Sequence, residues 1–173
     1  MNFNYRELLP EEFDGSSRVW IYQSSRLFSI TEAFQIEDLL NEFLGSWNSH
    51  AVPVKGFANL FFGQFIVLMA DEKAAMVSGC STDSSVHLMK EIEKRFDVQL
   101  FDRQLLAFFI RDKVQLLPLS QLSFAAANGF IQPDTLYFNN NLQTKTELEN
   151  YWIIPVRDSW LASRISFSQP VSN

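Results

Sequence analysis

The residues with the greatest capacity for chemistry lie in one ten-residue stretch, Ser78 to His87. This stretch holds the single cysteine, Cys80, together with Asp83, one of the two histidines and five small hydroxyl residues. A thiolate near a helix N-terminus is favoured by the helix dipole, and a neighbouring imidazolium lowers the pKa of the thiol further. The stretch therefore suggests a thiol-dependent enzyme. Cys80 would be the nucleophile, His50 or His87 the base, and Asp83 the carboxylate that orients the base.

The same stretch could instead bind an anion. If a helix begins here, the backbone N–H groups from Gly79 to Ser84 lie at its N-terminus, where they attract negative charge. The hydroxyls of Ser81, Thr82 and Ser84 would add further hydrogen-bond donors. These residues therefore form a candidate binding loop for a phosphate or a carboxylate.

Simpler interpretations compete with both. Cysteine is among the most often buried residues, and a run of Ser, Thr and Asp before a helix is ordinary N-cap chemistry. Zinc is a further alternative, since Cys80, His50, His87 and Asp83 supply four suitable ligands. They show neither C-x-x-C nor H-x-x-x-H spacing, so we assign no metal and no cofactor.

Strands and helices alternate around this stretch. A β-branched and aromatic run at 18–24 predicts a strand, and a capping box at Ser29 and Glu32 opens a helix with apolar residues at helical spacing. A tight turn at Gly63-Gln64 then joins two strands. The predicted elements after the first helix are strands at 54–62 and 65–70, a helix at 82–96, a hairpin of 105–110 with 114–117, a helix at 120–128, a strand at 135–138 and a short helix opened by a Thr144–Glu147 capping box.

This order is the split βαβ, or ferredoxin-like, pattern, βαββαβ. We therefore predict an α+β fold in a single domain, residues 1–173, with a ferredoxin-like core over about 18–117. Residues 118–165 would form a C-terminal elaboration of hairpin and short helices, and 166–173 a frayed tail.

The predicted topology brings the second histidine toward the cysteine. The second and third strands of this pattern are antiparallel neighbours, so the loop entering one and the loop leaving the other share one end of the sheet. These loops span 47–53 and 71–82, and we expect His50 and Cys80 to converge there. His87 points away from the buried stripe of its helix. It can therefore act only in a surface groove or beneath the C-terminal third of the chain.

Composition excludes several partners. The net charge is −6 and Lys and Arg do not cluster, so the chain lacks the basic surface that nucleic acids and anionic membranes require. A lone cysteine forms no internal disulfide, and we predict neither a signal peptide nor a membrane-spanning segment, which needs an apolar run of roughly 20 residues. We therefore expect a cytoplasmic protein. Phenylalanine, 17 of 173 residues, indicates an aromatic core or a pocket for an apolar ligand.

Four segments carry a resemblance to a known family: W-N-S-H at 47–50, S-G-C-S-T-D-S-S-V-H at 78–87, R-V-W-I-Y-Q-S at 18–24 and D-S-W at 158–160. Over most of its length the chain resembles a small, uncharacterised bacterial family whose members are often labelled ABC transporter ATPases. Such ATPases bind phosphate through G-x-x-x-x-G-K-[ST], and none of the six glycines here precedes Lys-Ser or Lys-Thr. We therefore do not predict ATP hydrolysis.

Three functional classes remain. We rank first a small-molecule or anion-binding protein with its site at the Gly79–Ser84 loop near His50, because binding demands the least special geometry. The thiol-dependent enzyme built on Cys80 is second. A partner-binding scaffold is third, in which the aromatic segment around Trp152 and Trp160 contacts another protein or forms a homodimer.

Overall fold

The computed structural model describes residues 4–49, 51–73 and 79–167, with residues 80 and 81 described as backbone alone. The chain divides into two compact units. Of the described residues, the first unit contains those within 4–102 and 140–149, and the second contains those within 103–139 and 150–167. The chain therefore leaves the first unit at residue 102 and returns to it for one short segment. The predicted α+β class is confirmed, whereas the single domain stays a prediction.

The first unit combines a three-stranded sheet with two long helices. Its elements are a 3-10 helix at Asn4–Leu8, β1 at Arg18–Gln23, α1 at Ile30–Ser46, the two-residue strands β2 (Asn48–Ser49) and β3 (Val52–Pro53), β4 at Lys55–Phe61, β5 at Phe65–Asp71 and α2 at Gly79–Phe96. The strands and helices predicted here are confirmed, except that α2 begins at Gly79 rather than Thr82. The short β2–β3 hairpin was not predicted.

The second unit is built on a four-stranded antiparallel sheet. Its elements are β6 at Leu105–Ile110, β7 at Lys113–Pro118, a 3-10 turn at Leu119–Gln121, α3 at Leu122–Ala127, β8 at Leu136–Phe138 and β9 at Ile153–Pro155, followed by 3-10 turns at Val156–Asp158 and Trp160–Arg164. The strand order is β7-β6-β8-β9. Helix α4, Lys145–Tyr151, precedes β9 and begins at the predicted capping box, in which Thr144 Oγ1 accepts from Glu147 N–H.

The sheet of the first unit has the strand order β1-β5-β4, and its neighbouring strands are antiparallel. β5 lies in the centre and each of its residues is buried, which fits its long apolar run. β4 and β5 form a hairpin whose open end is the pair Lys55–Asp71. The segments before β4 and after β5 therefore lie at the same end of the sheet.

This sheet contains three of the four strands that the sequence predicts for a ferredoxin-like core. In the predicted fold, the strand at 105–110 would lie along the outer edge of β1. That edge is instead covered by a later segment: Val19 N–H donates to Gln143 O at 2.8 Å, and Arg18 forms a β-bridge with Thr144. β6 pairs on both of its own edges, with β7 and β8, in the second sheet. The strand order therefore does not confirm the ferredoxin-like fold, and the core predicted over 18–117 combines parts of both units.

α1 and α2 pack on one face of the first sheet. α1 begins at the predicted capping box, because Ser29 Oγ accepts from Glu32 N–H and the Glu32 carboxylate accepts from Ser29 N–H. Arg26 joins the two helices where α1 starts and α2 ends. Its guanidinium donates to both carboxylate oxygens of Glu32 and to Phe96 O. The buried residues between helices and sheet include Tyr22, Phe28, Ile36, Leu40, Ile66, Leu68, Met89 and Ile92.

Candidate functional site

A groove of about 610 Å³ opens between the C-terminal half of α1 and the N-terminal half of α2. It lies at the opposite end of the helices from Arg26. Its lining comes from both helices and from the residue that follows α1: Leu39, Glu42, Phe43, Ser46, Trp47, Asp83, Ser84, His87, Leu88 and Glu91. This volume falls in the range of small-molecule sites. Three residues that the sequence singled out, Asp83, Ser84 and His87, therefore lie together on one wall.

The α1 wall is aromatic with an acidic edge. Glu42, Phe43 and Ser46 share one side of the helix, because residues three and four apart lie on the same face. Trp47 is the C-cap of α1, is buried, and lies against Phe43 with ring centroids 5.0 Å apart. Glycine at position 56 makes this possible, since a Cβ on Gly56 would lie 2.7 Å from Trp47 Cε3.

The α2 wall is polar. Asp83, His87 and Glu91 follow one another at four-residue intervals, so they form an exposed row along the helix. The other side of α2 carries Met89 and Ile92, which are fully buried. The helical phase inferred from the sequence is therefore confirmed, and His87 faces a surface groove rather than the core.

The charge of the groove is negative. Glu42 lies on the α1 wall and Asp83 and Glu91 lie on the α2 wall, while the described lining includes neither Lys nor Arg. The ion pairs that form within 4–49, 51–73 and 79–167 use none of these three carboxylates. No cation within salt-bridge distance there offsets their charge, so the groove favours a cation over an anion.

The stretch predicted to be an anion-binding loop is helical. α2 begins at Gly79, which places Thr82, Asp83 and Ser84 in its first two turns. From the fifth helical residue onward, each backbone N–H donates to the carbonyl four residues earlier. The N–H groups of Asp83 and Ser84 are therefore engaged within the helix. The hydroxyl of Ser85 is engaged as well, because it donates to Thr82 O at 2.7 Å.

The convergence predicted for His50 and Cys80 falls partly outside the described residues. The Lys55–Asp71 pair shows only that the start of β4 and the end of β5 lie at one end of the sheet. Lys55 Nζ donates to Asp71 Oδ2 at 2.9 Å, and this hydrogen bond lowers the pKa of the buried Asp71 carboxyl. His50 lies outside the described residues, and Cys80 and Ser81 are described only as backbone of α2. The pairing of thiol and imidazole stays a prediction.

Among the side chains that are described, no group of three or more His, Cys, Asp or Glu is arranged to hold a metal ion. Of the four zinc ligands considered from the sequence, the side chains of His50 and Cys80 lie outside the described part of the chain. The helices of the described part of the chain also lack the combined length and apolar character needed to cross a membrane.

Sequence reasoning missed the contribution of α1 to the groove. The sequence predicts α1 as an amphipathic helix and assigns no binding role to Glu42 or Phe43. The available signal was charge, since α1 carries four carboxylates and neither Lys nor Arg. A helix with one sign of charge beside exposed aromatic carbon is a candidate wall for a ligand of opposite charge.

Comparison of the chain with protein-family models, with the curated proteins and with the solved structures finds no match.

Proposed function

We propose that this protein binds a small organic cation, an ammonium attached to an apolar or aromatic group, in the groove between α1 and α2. The observation that carries the proposal is the described lining: three carboxylates, no Lys or Arg, and an apolar floor. An ammonium placed among several carboxylates is attracted to them, whereas a phosphate or carboxylate in the same place is repelled.

The apolar part of the ligand has its own partners. Leu39, Phe43 and Leu88 supply carbon surface inside the groove. The ring of Phe43 lies against Trp47. Because Phe43 is only half-buried, it is still partly open to a ligand. The face of an aromatic ring also attracts a cation, by about 0.5–1 kcal/mol at an exposed site. An arylalkylammonium would use both kinds of contact.

This proposal keeps the small-molecule function inferred from the sequence and replaces the anion with a cation. Asp83, Ser84 and His87 remain contact residues on the α2 wall. The thiol-dependent enzyme and the partner-binding scaffold stay predictions, and no contact among the described residues favours either.

Titration calorimetry with two matched probes tests the proposal. At low ionic strength we expect 2-phenylethylammonium to bind and 3-phenylpropionate, which has a similar shape and the opposite charge, not to bind. The double variant Glu42→Gln/Glu91→Gln removes two charges with little change in shape. It should weaken binding of the ammonium roughly 5- to 30-fold, because an exposed ion pair contributes about 0.5–1 kcal/mol.

Glu37→Gln is the matched control. Glu37 is exposed on the same helix but does not line the groove, so its loss should change the affinity by less than about twofold. Tetramethylammonium lacks the aromatic group and should bind more weakly than 2-phenylethylammonium. Preferential binding of the carboxylate probe would contradict the proposal, as would equal losses of affinity in Glu37→Gln and in the double variant Glu42→Gln/Glu91→Gln.

A further inference from the structure

A second candidate site lies in the second unit, beside β6, β7 and α3. Two adjoining cavities of about 260 and 510 Å³ open there, and their linings share Ile110, Gln115 and Phe130. The smaller cavity is mainly apolar and the larger is mainly polar. We call the pair the amphipathic pocket.

The smaller cavity is the open end of the hydrophobic core of this unit. Phe108, Ala125 and Ile131 line it and are also buried members of that core. The side chains of Phe124 and Phe130 lie at the same cavity and are 67% and 60% exposed. Exposed aromatic rings grouped around an apolar cavity are typical of a ligand site, because a ligand that covers them removes apolar area from water.

The larger cavity is lined by one arginine, Arg111. Arg111 lies in the two-residue turn between β6 and β7, where φ is 50° for Arg111 and 61° for Asp112. Among the described residues that line the two cavities, Arg111 alone is charged. It takes part in none of the ion pairs between residues that the structure describes. Its positive charge is therefore available to a ligand in the pocket.

We propose that the amphipathic pocket binds a small amphipathic carboxylate of the fatty-acid class. Its hydrocarbon part occupies the smaller cavity and its carboxylate pairs with Arg111, whose planar guanidinium can donate two parallel hydrogen bonds to a carboxylate. Gln115 lines both cavities and supplies an amide donor where they join. This site belongs to the other unit of the chain and does not depend on the cation groove.

Charge and polarity together select this class of ligand. A small hydrophilic anion would leave Phe124 and Phe130 uncovered, and an alkylammonium would place its charge against Arg111. The high phenylalanine content, for which an apolar-ligand pocket was one of two interpretations, agrees with a site of this kind.

Binding of decanoate and of decanol to the full chain, each below its aggregation concentration, tests the proposal. We expect one decanoate per chain, bound about 5- to 10-fold more tightly than decanol. Arg111→Gln should remove that preference and leave decanol binding unchanged, because it deletes the carboxylate's partner alone. Phe130→Ala should weaken both ligands, since it removes apolar contact. Both residues are exposed, so the core is left intact.

Lys113→Gln is the matched control, because Lys113 is an exposed cation next to the same turn and does not line either cavity. It should change decanoate affinity by less than about twofold. Equal affinity for decanol and decanoate would overturn the proposal. Equal losses in Lys113→Gln and Arg111→Gln, or several decanoate molecules bound per chain, would overturn it as well.

Discussion

The cation groove and the amphipathic pocket differ in charge and in depth. Two long helices line the groove, and its three carboxylates are exposed. The pocket continues into the buried core of its unit and carries one guanidinium. Both sites offer aromatic carbon, so apolar contact alone would not distinguish their ligands. The sign of a few charges beside that carbon separates a cationic ligand from an anionic one.

The largest expected effect is on stability, because the two sites differ in how far they extend into a buried core. Phe108 is fully buried and also lines the amphipathic pocket, so Phe108→Ala should lower the free energy of unfolding by about 3–5 kcal/mol. Phe43 is only half-buried at the groove, and Phe43→Ala should lower it by roughly 1–2 kcal/mol. Chemical denaturation of both variants measures the difference. Equal losses would mean that the groove is as deeply embedded in a core as the pocket.

The next effect is on ligand affinity, whose dependence on salt concentration should differ between the two sites. The groove depends on several exposed carboxylates, so raising the ionic strength from about 20 to 500 mM should lower its affinity for 2-phenylethylammonium roughly fivefold. Decanoate has a single ion pair and a large apolar contact, so its affinity should fall by no more than about twofold. Parallel titrations at both salt concentrations measure the two slopes. A salt-independent affinity at the groove would remove its electrostatic basis.

Acid should loosen the helix pair that forms the groove. Hydrogen bonds from Arg26, followed by the one from Ser29 N–H, lower the pKa of Glu32 from 4.5 to about 2. A carboxyl group whose folded-state pKa is depressed stabilises the fold fully above its unfolded pKa, and this contribution is lost as pH falls through the folded pKa. The stabilisation is therefore present above about pH 4.5 and declines toward pH 2.

Glu32→Gln tests this contribution. At pH 7 it should lower the free energy of unfolding by roughly 1 kcal/mol, because solvent screens a pair in which Arg26 is 43% exposed. At pH 3 the variant and the parent chain should differ less. Thermal unfolding at both pH values provides the comparison. A difference that does not change with pH would show that the charge of Glu32 is not what stabilises the helix pair.

The smallest effect compares a glycine that lines the amphipathic pocket with a glycine of helix α1. Gly129 follows α3 at the amphipathic pocket with φ of 73°, so Gly129→Ala should cost about 1 kcal/mol through backbone strain, although no atom lies within 4 Å of the new Cβ. Gly45 lies inside α1 with equally open space, and Gly45→Ala should raise stability by about 0.5–1 kcal/mol. Thermal unfolding of the two variants should therefore give shifts of opposite sign. A shared sign would contradict the assigned backbone conformations.

Local signals predicted most of the helices and strands. The capping boxes at Ser29–Glu32 and Thr144–Glu147 and the apolar run of β5 act over a few residues, so they can be identified in the sequence. The partners of the strand at 105–110 could not be identified in this way. Pairing depends on which strand edge is open in space, and residues 143–144, far along the chain, cover the edge of β1.

One wall of the groove carries residues that the sequence singled out, and the other wall does not. Helical phase placed His87 at a surface groove, and Asp83 and Ser84 lie beside it as neighbours on the same helix. The opposite wall was missed because Glu42 and Phe43 come from a helix that precedes α2 by more than thirty residues. Their approach depends on long-range packing of both helices on the sheet and on the hydrogen bonds that Arg26 makes with each.

The late return of residues 140–149 to the first unit has a consequence for synthesis of the chain. β1 acquires an open edge once it pairs with β5, and a ribosome that has completed β5 must add about 70 more residues before residues 143 and 144 can cover that edge. At about 5–20 residues per second this takes roughly 4–14 s. An open strand edge can pair with a strand of another chain during that interval. The speed of translation therefore sets how long each nascent molecule is exposed to misassembly with its neighbours.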